Sequence, residues 1–281
     1  MSTPVVFFHL GYPEYLELCI KEAARNNEVL LIGDTENSSL GSLNNVTHYQ
    51  ADLDNCKFTK YFFEAYQHMS TGGQQFELLC FIRWAAICRI TKKLGLSSLF
   101  HSDSDNVVYS DMSDVYEKIN SPSMALSVPQ NQAEFRRSAS PNVAYWSVEE
   151  LERFCHYMLD CYLDPIKYQK LKDKWLWHQQ NSKPGGVCDM TVLWHYAQET
   201  DHTVLTQLWS NNTTFDHNIN VSSNYNSLVE EYELKNGIKN IKFINNKPHC
   251  KNIVTNEEIM FHTLHFQGTA KSLISDYVNR G

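Results

Sequence analysis

The sequence lacks a basic excess, a paired-cysteine motif, an internal repeat and any apolar run long enough to span a membrane. Each absence removes a class of protein. Lys and Arg total 24 against 32 Asp and Glu, a formal net charge of -8. A nucleic-acid binder carries a basic stripe, so no nucleic-acid partner is expected. Any anionic substrate must be held locally, by a few cations, backbone N–H groups or a metal. None of the 8 cysteines falls in a C-x-x-C pair, and several sit inside apolar helical patterns. They read as reduced thiols packed as small hydrophobes, which points to a cytoplasmic compartment. "MSTPVVFFHLGYPEYLELC" lacks the basic start and long apolar core of a signal peptide, and the chain offers no transmembrane segment. No linker divides the 281 residues, so a single domain over 1–281 is expected.

What is present is an α/β pattern. "PVVFFHLG" is a β-branched and aromatic run ending in glycine, a strand. "PEYLELCIKEAARNN" follows with helical spacing of Tyr15, Leu16, Cys19 and Ala23, and "EVLLIGD" is a second buried strand closed by Asp34. A β-α-β start implies parallel strands with helices covering the sheet. "VTHYQ" is a further short strand, and "TKYFFEAYQHM" and "QQFELLCFIRWAAICRITKKLG" are helices, the second stopping at Gly95. "LSSLFHSD" is the next strand. Downstream, "SMALS" and "PNVAYWS" read as strands joined by a long loop. Ser147-x-x-Glu150 is a capping box, and "KYQKLKDKWLWHQQ" and "DMTVLWHYAQET" are helices.

The charged residues then fall at telling places. Asp103 and Asp105 directly follow a buried strand, where carboxylates are costly unless paired or bound to a cation. In an extended segment, residues two apart point the same way, so one Mg²⁺ or Mn²⁺ neutralises both. Ligands of open α/β sheets bind at such carboxyl ends of strands. Asp111 and Asp114 read as solvated residues or as the cap of "DVYEKIN". Arg83, inside an apolar helix, needs a partner: a nucleotide, the Asp103/Asp105 carboxylates, or Glu77 or another acid as a structural ion pair. Asp189 beside the glycines of "KPGGVCDM" is either a helix N-cap or an acid projecting into a cleft. In "HFQGTAK", His265, Gly268 and Lys271 offer a metal ligand, a close backbone approach and a phosphate-pairing cation, or simply a turn.

Taken in order, "VVFFHLG", Asp34, the Arg83 helix, Asp103-x-Asp105 and "HFQGTAK" resemble the GT-A superfamily of nucleotide-sugar-dependent glycosyltransferases. The last motif is similar to the H-x-x-G-x-x-K signature of glycosyltransferase family 8. The resemblance implies a single GT-A-type, Rossmann-like α/β domain, with a mixed central sheet and helices on both faces. Its nucleotide-binding half is 1–115 and its acceptor-binding half 116–281. The implied activity is a hexosyltransferase-type transfer from a UDP-sugar to a glycan or other hydroxyl acceptor. Asp103, Asp105 and His265 would hold Mn²⁺ or Mg²⁺. His9, Leu10, Gly11, Asp34, Arg83, Ser104, Gly268 and Lys271 would contact the donor, and Asp189 is the implied catalytic residue. The chain departs from the family where "SL" follows Lys271 instead of Pro-Trp, and where Met190 replaces a glutamine. Retention of anomeric configuration is the preferred stereochemistry. An inverting reaction would need a carboxylate base, Asp189 first and Asp216 second.

Two other classes compete. "LFHSDSDNV" also looks like the nucleophile motif of haloacid-dehalogenase phosphatases, although that motif normally follows the first strand of its domain. A non-catalytic nucleotide-sugar or carbohydrate-binding protein on the same fold would carry the same residues.

Overall fold

A computed structural model describes residues 2–53, 57–224 and 229–278. The first half runs β1 (Val5–Phe8), α1 (Glu14–Ala23), β2 (Val29–Gly33), β3 (Val46–Gln50), α2 (Lys57–Ala65), α3 (Gln74–Lys93), β4 (Ser98–Ser102), β5 (Asn106–Val108) and α4 (Met112–Lys118). The second runs β6 (Met124–Ser127), β7 (Ser140–Ser147), α5 (Val148–Leu163), α6 (Pro165–Gln180), α7 (Asp189–Glu199), β8 (Thr203–Val204) and β9 (Thr213–Thr214). It closes with β10 (Leu234–Lys235), β11 (Ile238–Lys239), β12 (Lys242–Ile244), β13 (Lys247–Lys251), β14 (Glu258–Phe261) and β15 (Thr263–His265).

Seven strands form the central sheet in the order β3-β2-β1-β4-β7-β6-β8. The first four are mutually parallel, and β7 runs antiparallel to β4, so the sheet is mixed, as expected. The alternation along β1 shows why both faces are covered. Val5 and Phe7 pack with Leu16, Ile20 and Val115 on the α1/α4 side. Val6 and Phe8 pack with Phe81, Trp84 and Phe154 on the α3/α5 side. Chain order reverses around β1: β2 pairs on one side and β4 on the other. The loops after β1 and β4 therefore leave the same edge side by side, where α/β sheets open a crevice.

Helix α3 stops as its sequence requires. Gly95 takes φ +68°, its amide reaches the Lys92 carbonyl, and Lys92 and Lys93 fill the last turn. Other expectations change in detail. Residues 66–69 leave helix α2, which ends at Ala65. Ser147 caps α5 by accepting the Glu150 amide, but the Glu150 carboxylate goes to Tyr196 and Arg153, so the box is half made. Asp111 is the cap of α4, accepting the amides of Ser113 and Asp114. Asp189 is not a cap: Cys188 holds that position, in extended backbone, and Asp189 is the first helical residue. The seven described cysteines are free thiols; Cys56 lies outside the described residues. Among the described residues no helix is long and apolar enough to cross a membrane.

One long-range pairing joins the two ends of the chain. Strand β15 runs antiparallel to β5 and sets His265 opposite Asn106. The Phe266 amide donates to the Asp105 carbonyl at 2.9 Å. Backbone hydrogen bonds thus bring "HFQGTAK" against the Asp103–Asp105 turn.

Candidate functional site

A cleft of about 850 Å³ opens at the carboxyl ends of β1 and β4. Its near end is lined by His9, Leu10, Tyr15, Ser104, Gly268 and Lys271, and its middle by Arg83, Asp103, Asp105, Asp189 and His265. Gly11 and Asp34, both expected at the nucleotide, lie outside this lining. Asp34 holds backbone. Its Oδ2 accepts the Gly11 amide at 2.7 Å, and its Oδ1 accepts the amides of Glu36 and Asn37. It ties the loop after β2 to the loop after β1, where Gly11 needs its φ of +85°. His9 is closer to the expectation: its Nδ1 lies 2.8 Å from Ser104 Oγ, joining the loops after β1 and β4.

The Asp103–Asp105 segment is not extended. It is a turn, with the Asn106 amide donating to the Asp103 carbonyl. The two carboxylates therefore do not share one direction, and each has its own cation. Arg83 Nη1 lies 2.7 Å from Asp103 Oδ1, and Arg83 Nη2 lies 2.9 Å from Asp189 Oδ2. Burial opposes charge on Arg83, but the two carboxylates outweigh it and hold its pKa above the ordinary value. Burial likewise pushes Asp103 up, yet Arg83 and His101 hold it below the usual carboxylate range. Glu77 is not the partner of Arg83: six positions apart, they do not stack on one helix face.

Asp105 is neutralised separately. Lys271 Nζ lies 3.1 Å from its Oδ2, and His265 Nε2 lies 3.6 Å from its Oδ1. The metal trio of Asp103, Asp105 and His265 is thus only partly gathered. Among the described residues no three His, Cys, Asp or Glu side chains stand together as a metal site. The chemistry of the donor set nevertheless suits a divalent cation. His265 Nδ1 lies 2.7 Å from the His217 carbonyl, and a carbonyl only accepts, so Nδ1 carries the hydrogen. Nε2 then turns toward Asp105, the orientation a ligating imidazole needs. Burial works against charge on His265, but Asp105 and the His217 carbonyl win and raise its pKa. Two lone-pair donors facing each other at 3.6 Å, too far for a good hydrogen bond, are satisfied by a proton or by a metal.

Asp189 is 3% exposed and fully engaged. Its Oδ2 accepts from Arg83 and from Trp84 Nε1 at 3.1 Å, and its Oδ1 accepts the Met190 amide. Three hydrogen bonds hold the carboxylate in place, and Asp189 anchors Arg83 at the cleft wall. Asp216 is 0% exposed and paired with Lys239. Gly268 has φ +63° with open space around it, so the glycine supplies backbone freedom and leaves the cleft clear at that point.

Sequence reasoning missed three groups. His101 is fully buried, edge-on to Trp84, with Nε2 3.3 Å from Asp103 Oδ1. The strand period was its signal, since His101 and Asp103 are two apart. Tyr15 places its ring 5.3 Å from Lys271 Nζ. Lys174, 4% exposed, donates to the Arg136 and Arg137 carbonyls and to Thr191 Oγ1. It pins the long loop between β6 and β7 to the cleft wall. Nothing local in the sequence marks that contact.

No protein-family model matches the chain, and no curated protein matches it. Solved structures do. Mouse xyloside xylosyltransferase 1 superposes with a TM-score of 0.53 at 12% identity, over 74% of this chain and 87% of that one. The galactosyltransferase LgtC, in complex with donor and acceptor sugar analogues, gives a TM-score of 0.42 at 11% identity over 75% and 77%. The chain has the mixed α/β fold of the GT-A glycosyltransferases.

Proposed function

We propose that the protein transfers a sugar from a nucleoside diphosphate donor, UDP-type, to a hydroxyl acceptor. The observation that carries this is the pairing pattern in the cleft. Arg83 bridges Asp103 and Asp189, while Lys271 and His265 converge on Asp105 at the mouth of β1 and β4. The donor diphosphate is placed against Lys271, which can leave Asp105 to pair a phosphate oxygen. Asp105 and His265 would hold Mn²⁺ or Mg²⁺, with Asp103 beside them. When bound, the cation supplies Lewis-acid charge for the departing nucleoside diphosphate.

The chain's own residues orient the rest. His9 and Leu10 border the nucleotide end, with Ser104 fixing the His9 ring. Arg83, immobilised by two carboxylates, presents a rigid cation beside the sugar. Retention of configuration fits this arrangement, because Asp189 and Asp216 are held in ion pairs and neither offers a free base. The phosphatase reading fares worse, since Asp103, its nucleophile, is bound by Arg83 at 2.7 Å.

The test is binding of UDP with and without Mn²⁺, read by thermal shift, followed by UDP release from a panel of UDP-sugars and a parallel incubation with phosphate esters. Metal-dependent UDP binding is expected in the wild type and absent in Asp103→Asn/Asp105→Asn. Full transfer activity in that double variant sinks the proposal.

A further inference from the structure

We propose that the far end of the cleft is a saccharide subsite for the acceptor, where Glu77 accepts a hydroxyl hydrogen bond and Phe76 offers its ring to the sugar's apolar face. This rests on the reading that the donor occupies the Lys271 end.

Helix α3 runs along the cleft, and Phe76, Cys80 and Arg83, at i, i+4 and i+7, line one face with Glu77 beside them. Glu77 stands six residues before Arg83, about 9 Å of helix. Its carboxylate is half-buried and held in place. Ser70 Oγ donates to Oε1 at 2.8 Å and itself accepts the Gly72 amide. A Cβ on Gly72 would sit 2.5 Å from Oε1, so glycine keeps that position open. The supporting backbone is fixed by pairing of 69–71 with 185–187: Val187 N reaches the Met69 carbonyl at 2.7 Å, and Thr71 N the Gly185 carbonyl at 2.9 Å.

What Glu77 lacks is a cation in contact. Among the described residues it forms no ion pair, and no donor reaches Oε2. Lys174, which also lines the cleft, has its ammonium spent on two carbonyls and a hydroxyl. Burial raises the Glu77 pKa; the Ser70 hydroxyl opposes this, the nearby Asp189 adds to it, and His68 and Lys174 oppose it weakly without reaching the carboxylate. An oriented carboxylate without a cation repels phosphates and suits a neutral ligand bearing hydroxyls. Phe76 completes the match. Its side chain is 68% exposed yet lines the cleft, an apolar surface left for something to cover. A saccharide supplies both halves, hydroxyl donors and a C–H face.

The experiment titrates methyl glycosides of glucose, galactose, mannose and xylose into the full chain, with saturation-transfer NMR as the readout. UDP with Mn²⁺ is followed separately by thermal shift. At least one glycoside is expected to bind the wild type. Phe76→Ala and Glu77→Gln should each weaken it by about tenfold, as loss of one good contact does, and leave the UDP response unchanged. Phe76 is exposed, so Phe76→Ala should melt like the wild type. The proposal is overturned if no glycoside binds the wild type, or if both variants bind as it does. Glycoside binding without any UDP binding would support the subsite and sink the donor reading. With an active donor, Glu77→Gln should raise the acceptor KM. A large kcat loss at unchanged KM would overturn the binding role.

Discussion

Lys239 and Asp216 form an ion pair sealed from water: both side chains are 0% exposed, and Nζ lies 2.8 Å from Oδ1. The other carboxylate oxygen accepts the His265 amide at 3.0 Å, and Nζ also donates to the Asn218 carbonyl at 2.7 Å. A charge pair buried under β15 thus fixes the backbone that carries His265. Lys239→Met leaves Asp216 uncompensated and should cost about 3–5 kcal/mol. Lys239→Met with Asp216→Leu should recover much of that loss, because both charges are gone. Urea unfolding of the two variants checks this; equal destabilisation would contradict it.

Arg83 is required as a fork. Its two terminal nitrogens serve two different carboxylates, and a lysine presents one point charge. Arg83→Lys should therefore fold but let Asp103 or Asp189 drift, and transfer should fall on the order of 10²-fold, the usual cost of a small misplacement. Steady-state kinetics with the best donor checks it.

Two glycines should respond differently to alanine. At Gly186, φ is +140° and a Cβ would sit 2.3 Å from the Met69 carbonyl oxygen. Gly186→Ala must push apart the pairing of 69–71 with 185–187, and should cost about 3 kcal/mol or more in thermal or urea unfolding. At Gly268, φ is +63° and no atom lies within 4 Å of the added Cβ. Gly268→Ala should cost only the left-handed penalty, about 1–2 kcal/mol.

Acid should weaken the fold through two histidines away from the cleft's charged centre. Burial, helped by Lys247 and Lys118, lowers the pKa of His262 to about 4, and burial with Lys170 and Arg137 lowers that of His195 to about 4. Above the ordinary 6.5 both are neutral folded and unfolded, and their contribution is intact. As pH falls from about 6.5 toward about 4, the unfolded chain takes protons the folded chain refuses, and stability is lost. His262→Asn should flatten part of that slope. Urea midpoints measured from neutral pH down through this window check it.

The strands and helices around the site were legible because their signals are local. Val5–Phe8 and Val29–Gly33 are short β-branched runs, and α3 has a helical apolar period with a glycine stop. The chemistry of Asp103, Asp105, His265 and Lys271 was legible as residue types that need partners. The partners themselves were not. Asp34 read as a nucleotide contact, and its backbone partners Gly11, Glu36 and Asn37 were not legible. Asp189 read as a cap or a cleft acid; Cys188 holds the cap position, and Asp189 lines the cleft paired with Arg83. A single aspartate letter is the same in all these roles, and only its neighbours in space separate them.

By itself the sequence determined the β-α-β start, the acids at the end of a buried strand, and a late His-Gly-Lys segment, since each follows from side-chain spacing along a few residues. The tertiary structure decided which charge meets which. It folded Asp103–Asp105 into a turn, gave Asp103 to Arg83 and Asp105 to Lys271, and left Glu77 without an ion pair among the described residues. Those pairings depend on β5 meeting β15 and on α3 crossing α7, contacts between segments more than a hundred residues apart, where no local period carries the information.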